Sequence, residues 1–359
     1  MRAPLTVRLG DTWVDELGVG YSLPEWSTSF GASAGGCDES SVTLVIPPNY
    51  RHQALKMGAR YRVYSGGSVA FQGRIDEIDR LAGTIHAVGL GRQATTTLCY
   101  ASNDTGAPTG VADTAVDTGI ARGALAYCSR PTTIRSTAVG GDDSLNKPSY
   151  VSELLDAAQE AAGKFWTVWE DGVFRLESLP TVPSYFLFPE SVDLPISYDE
   201  YASDIQLRYI HTTGVFASVF DGDPIASAAY RKEAAVDATA LGEISTPEAV
   251  AHVQGILAQG KSKPGYTASV ETTRWLLLGR NLQPVDLRRV RAGQLVRSFG
   301  VSLIGGVASP WVDWTIGRTK YVGGQDSIII DPVGLVSNGS QEDVIAKVLS
   351  AAWEKKFGA

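Results

Sequence analysis

The chain predicts a mainly β protein with an α+β insertion: two β-barrel or sandwich domains flank the insertion, and a C-terminal helix follows them. Three observations carry that prediction. Short runs of alternating apolar and polar residues crowd both ends of the chain, and alternation at period two is the mark of a half-buried strand. Glycine (38) and proline (17) are abundant enough to punctuate those runs with turns. Helical periodicity is confined to three short stretches.

In chain order, residues 4–9 (PLTVRL) and 41–46 (SVTLVI) alternate, the second stopping at Pro47-Pro48. Residues 61–64 and 69–75 flank Ser65-Gly66-Gly67, a hairpin turn in which glycine supplies positive φ at no steric cost. Residues 84–88 close a first β domain over 1–99. Residues 100–148 are poor in large apolar side chains and read as a loop excursion. A helix follows, capped at Ser149, with Val151, Leu154, Leu155, Ala158 and Ala162 on one face and a stop at Gly163. The hairpin 165–169/173–177 then turns at Glu170-Asp171-Gly172, and one helix with one hairpin is too little for a separate core. The insertion is placed at 100–195.

A second β domain is placed at 196–337, with strands at 205–210, 215–220, 268–278, 285–290, 294–303, 312–317 and 327–331. It holds one helix, opened by Thr246-Pro247-Glu248, with Val250, Val253 and Leu257 turned inward. Residues 338–359 carry an amphipathic helix capped by Ser340, with Val344, Ile345, Val348, Leu349 and Trp353 on its apolar stripe.

Length and charge narrow the function. At 359 residues the chain is long enough for two or three cores. A formal net charge of −8 argues against a surface that grips nucleic-acid phosphates. No apolar run reaches the 18 or so residues of a membrane helix, and the start Met1-Arg2-Ala3-Pro4-Leu5-Thr6 predicts no secretory signal. Cys37, Cys99 and Cys128 form neither an even set nor a CxxC, so reduced thiols in a soluble product of a cytosol are expected.

Motifs add little chemistry. Gly31-Ala32-Ser33-Ala34-Gly35 matches the GxSxG nucleophile elbow, but a strand and not a helix follows it, so a loop is predicted and a Ser33 hydrolase is the minor alternative. Gly89-Leu90-Gly91-Arg92-Gln93-Ala94 fits a dinucleotide fingerprint without the βαβ unit that would make it one. His52, His86, His211 and His252 have no metal-ligand spacing, so neither metal nor cofactor is expected. Charge is segregated: residues 190–240 hold nine acidic and three basic side chains, whereas 271–320 hold eight basic and three acidic. Solvated faces and complementary faces of neighbouring subunits both fit that pattern. Arg288, Arg289, Arg291 and Arg297, with Val344, Val348, Leu349 and Trp353, are the interface candidates.

One succession of elements resembles a known family. It runs through Gly35-Gly36-Cys37, the strand 41–46 with Pro47-Pro48, Gly58, the Ser65-Gly66-Gly67 hairpin, Phe71-Gln72-Gly73-Arg74-Ile75 and Gly89. It continues through Ser152-Glu153-Leu154-Leu155, the Trp166–Leu176 hairpin and Gly317 to Ser327. This order is similar to that of tail-hub proteins of siphophages infecting actinobacteria, related to the baseplate hub of contractile-tailed phages. The resemblance implies a non-enzymatic homotrimer in the virion tail tip, assembled in the host cytoplasm, whose two tube-type β domains per chain adapt a sixfold tail tube to a threefold tip. It implies contacts with the distal tail protein, the tape measure protein and other tail-tip proteins. Genomic DNA would pass through the ring without specific binding. A hexameric distal-tail adaptor is the alternative within the same class.

Overall fold

A computed structural model describes residues 4–30, 35–47, 50–102, 107–138, 149–162, 164–188, 196–197, 202–229, 231–239, 243–257, 265–266, 269–299, 303–304, 307–308 and 311–333. The protein is mainly β with a few helices. By its internal contacts the chain divides into two units, one holding 1–192, 270–299 and 313–333, the other 193–269, 300–312 and 334–359. The chain changes unit at 193 and 334, close to the boundaries drawn from sequence at 196 and 337, but most of 270–333 joins the first unit, because its strands pair with strands from the N-terminal part of the chain.

In the first unit the N-terminal strands are β1 (Leu5–Leu9), β2 (Glu25–Ser29), β3 (Gly35–Val45), β4 (Arg60–Ser65), β5 (Ser68–Asp79) and β6 (Thr84–Gly89). They join in the order β2-β3-β6-β5-β4-β1, every pair antiparallel. Alternation decides which side most residues take: Leu5, Val7, Leu9, Val42, Leu44, Tyr61, Val63, Phe71, Ile75 and Ile85 are buried in one cluster, while Thr6, Arg8, Thr43 and Arg62 between them are not. At the β4–β5 turn Gly66 and Gly67 both hold positive φ (58° and 84°), as the hairpin reading requires. Gly89 marks the tightest crossing, since a methyl there would lie 1.7 Å from the Cys37 carbonyl oxygen.

The insertion corrects the loop reading of 100–148. Helix α1 (Ala112–Ala121) lies within it, and α2 (Val151–Ala162) packs with it. Both close over the hairpin β7 (Phe165–Val168) and β8 (Phe174–Glu177). They pack through Leu125, Leu155, Trp166, Val168 and Phe174 into one cluster with Leu90 and Ala94 from before the insertion. The helix escaped notice because its buried stripe is Ala112, Ala115, Val116 and Gly119, small residues that fit between tightly packed neighbours. Gly163, the expected helix stop, lies outside the described residues. The GxGxxA stretch is no nucleotide loop but a 3₁₀ turn (Leu90–Thr95), whose buried Gln93 side chain donates to the carbonyls of Leu90 and Ala126 and accepts from the Ala126 amide.

The remaining strands of this unit are β9 (Tyr185–Leu187), β13 (Val270–Thr273), β14 (Leu277–Gly279), β15 (Leu295–Phe299), β16 (Trp311–Tyr321) and β17 (Ser327–Pro332). Residues 285–290, expected as a strand, form a 3₁₀ turn at Leu287–Arg289, its start capped by Asp286. The expected strand 268–278 is divided between β13 and β14.

The second unit contains β10 (Asp204–His211), β11 (Phe216–Gly222), α3 (Pro224–Ala229), β12 (Glu233–Asp237) and α4 (Thr246–Ile256). β10 lies between antiparallel β11 and parallel β12. Ala249, Val253 and Leu257 are buried with Ile205, Leu207 and Tyr209 of β10. Val250, expected inward, is half-buried. The helix begins one residue earlier than read, with Ser245 as N-cap and a capping box to Glu248.

Candidate functional site

The feature that organises the first unit is a seam. β2 and β16 pair antiparallel, Trp26 opposite Tyr321, Ser27 opposite Lys320, Thr28 opposite Thr319 and Ser29 opposite Arg318. β16 also pairs with β17, and β17 with β13. Strands from the two ends of the chain thus merge into one antiparallel run, whose seven strands β13-β17-β16-β2-β3-β6-β5 continue into β4 and β1.

The seam is fixed from its buried side. Trp26 and Tyr321 pack with ring centroids 4.2 Å apart, an aromatic contact worth about 0.5–1.5 kcal/mol beyond area burial. The Thr28 and Thr319 hydroxyls share a hydrogen bond of 2.6 Å, and Thr28 Oγ1 also accepts from the Ala292 amide at 2.9 Å. Both threonines are buried, so an apolar replacement would leave partners unsatisfied. Arg288 spans the same join, donating to Ser65 Oγ at 3.1 Å and to the Tyr321 hydroxyl at 3.4 Å.

The opposite face of the seven strands is polar. A groove of about 430 Å³ crosses it, lined among others by Glu25, Glu39, Asp76, Glu77, His86, Arg318 and Lys320, four carboxylates against two cations. The β16 cations meet carboxylates across the seam: Arg318 lies 3.1 Å from Asp38 and 3.9 Å from Glu39, and Lys320 lies 3.9 Å from Glu25. The pairs with Glu39 and Glu25 are solvent-exposed and contribute little stability, at most about 1 kcal/mol each, whereas Asp38 is largely buried. They set register and leave the face net negative. Asp79, at the end of β5, holds its carboxyl below the usual range because the Ala82 and Leu81 amides donate to it.

The sequence-predicted arginines are accounted for separately. Arg297 makes a two-pronged pair with Asp313, both contacts 2.7 Å, which raises its pKa further. Arg291 pairs with Glu170 and lies over the Trp169 ring. Arg289 is the most exposed of the four, 3.9 Å from Asp286. Ser33, Val344, Val348, Leu349 and Trp353 lie outside the described residues. No group of three or more His, Cys, Asp or Glu side chains is arranged to hold a metal among the described residues. The three thiols are pushed up to about 12 chiefly by burial, which keeps them protonated and unreactive at neutral pH. Sequence reasoning missed β2, and with it the seam.

The fold as a whole is similar to that of solved tail proteins of phages and prophages. The fold matches the 43 kDa tail protein of prophage MuSo2 from Shewanella oneidensis with a TM-score of 0.59 at 14% identity, covering 93% of this chain and 98% of that one. It matches the tail protein from Neisseria meningitidis MC58 at 0.56 and 12% identity, covering 92% and 96%. It matches prophage tail protein gp18 from Listeria monocytogenes EGD-e at 0.56 and 11% identity, covering 96% and 98%. No protein-family model and no curated protein sequence matches the chain.

Proposed function

We propose that the protein is a structural component of a phage tail tip, a hub in which three copies form a ring and the polar seven-stranded face lines the opening through which DNA passes. The observation that carries this reading is the β2–β16 seam, which gives each chain one unbroken wall drawn from both ends of its sequence. Two strand sets per chain, three chains to a ring, offer six similar places to a sixfold tube and closed symmetry to a threefold tip. Strands spaced about 4.8 Å apart make a seven-stranded wall roughly 34 Å wide. Three such walls enclose an opening about 32 Å across between backbones, and more once the strands tilt. That is wide enough for duplex DNA. A wall with more carboxylates than cations repels phosphates, so DNA slides past it. The fold likeness to tail proteins over more than nine-tenths of the chain supports the same reading. Sedimentation equilibrium of the purified chain tests it: the mass of three copies is expected, whereas the mass of six would favour a distal-tail adaptor and overturn the hub.

A further inference from the structure

The seven strands leave two stretches of backbone unpaired on one side, and the two are chemically different. One is β13, which pairs with β17 on one side and with no strand on the other among the described residues. The other is the Asp76–Asp79 segment of β5, which pairs with β6 alone, β4 and its flanking backbone having turned away beyond Ile75. Unpaired strand edges invite another chain unless something covers them. At the β5 edge Asp76 and Glu77 are exposed carboxylates with no hydrogen-bond or ion-pair partner among the described residues. At the β13 edge the chain passes directly into Arg274 and Trp275, both exposed, the guanidinium 4.5 Å from the indole centroid and without a carboxylate partner. Glu271, the carboxylate on β13 itself, is occupied by the Ser327 hydroxyl at 2.7 Å.

The internal seam shows how such ends meet. There the C-terminal strand set supplies the cations Arg318 and Lys320, and the N-terminal set supplies Glu25, Asp38 and Glu39. The free ends repeat that polarity, Arg274 on the C-terminal set and Asp76 with Glu77 on the N-terminal set.

Resting on the ring reading above, we infer that the missing partner at both edges is a second copy of this chain: the β13 edge of one copy docks beside the Asp76–Asp79 edge of the next, with Arg274 facing Asp76 and Glu77. Charge complementarity of this kind fixes which edge meets which and prevents like edges from pairing. The closed ring then leaves neither edge exposed.

The test uses the full chain and two readouts. In sedimentation, Arg274→Glu and the pair Asp76→Lys with Glu77→Lys are each expected to raise the concentration at which the ring dissociates roughly tenfold or more, and all three together to restore it, because like charges repel and reversed pairs attract. In the second readout, Glu77→Cys is combined in turn with Glu271→Cys, Thr273→Cys and Arg274→Cys and treated with a short thiol cross-linker. The unreactive native thiols give a low background, and at least one pair is expected to yield covalent dimers and trimers that no single variant yields. A wild-type trimer whose stability ignores the charge reversals, and in which no cysteine pair cross-links, overturns this seam while leaving the ring. A wild-type chain that stays monomeric removes the ring and the seam with it. If a reversal variant loses its circular-dichroism spectrum, the cysteine pairs alone decide.

Discussion

At the scale of single residues, close backbone approach governs the first unit. Gly36 holds φ at 115°, and a methyl on it would sit 2.1 Å from the Val168 carbonyl oxygen, where β7 joins β3 in parallel. Gly89 has ordinary φ, and the Cys37 carbonyl alone excludes a side chain there. Gly89→Ala is therefore expected to destabilise the protein by about 3 kcal/mol or more, since two backbones must separate. At Gly255 of α4 nothing lies within 4 Å of an added methyl, and Gly255→Ala should be neutral or stabilising by up to about 1 kcal/mol. Urea midpoints of the two variants check the contrast.

At the scale of elements, α4 offers a pH test. Glu248 accepts from the Ser245 hydroxyl and amide, both at 2.7 Å, and these bonds lower its pKa. A carboxyl with a lowered native pKa stabilises the folded helix above its unfolded pKa of about 4.3, and that contribution is lost as pH falls through the native value. Amide hydrogen exchange should show the first turn of α4 losing protection between neutral pH and pH 3, and Glu248→Gln should flatten that loss. Strands and hairpins of this kind were the legible part of the chain. β1, β3, β4, β5 and β6 all lie where alternation put them, as does the β7–β8 hairpin. What alternation hid were elements whose buried residues are polar or small. β2 buries Trp26, Ser27 and Thr28 in succession because a bulge opposite β3 breaks the period and because its hydroxyls are satisfied by Asp38, Thr319 and Ala292. α1 buries alanines, which carry no strong period. The face that became the candidate site was thus only half visible: β6 was read, β3 only from residue 41 and β5 only as far as residue 75, and the strand that joins them to β16 was missed. The arginines singled out by charge density are mostly engaged within the chain, because local charge counts do not reveal pairs such as Arg297 with Asp313, 16 residues apart.

At the scale of the whole molecule, one sequence-distant strand pair decides the account. The resemblance read from glycines and turns anticipated two tube-type β domains per chain, flanking the insertion; the fold likeness is to tail proteins as whole chains. The partition of the chain into units differs from the expected domains because strand pairing follows space and not sequence order. The most direct measurement is an electron-microscopy reconstruction of the assembled ring. The account predicts three copies around the axis with the face bearing Glu25, Glu39, Glu77 and Lys320 turned toward the lumen. Six copies, or that face turned outward, would contradict it.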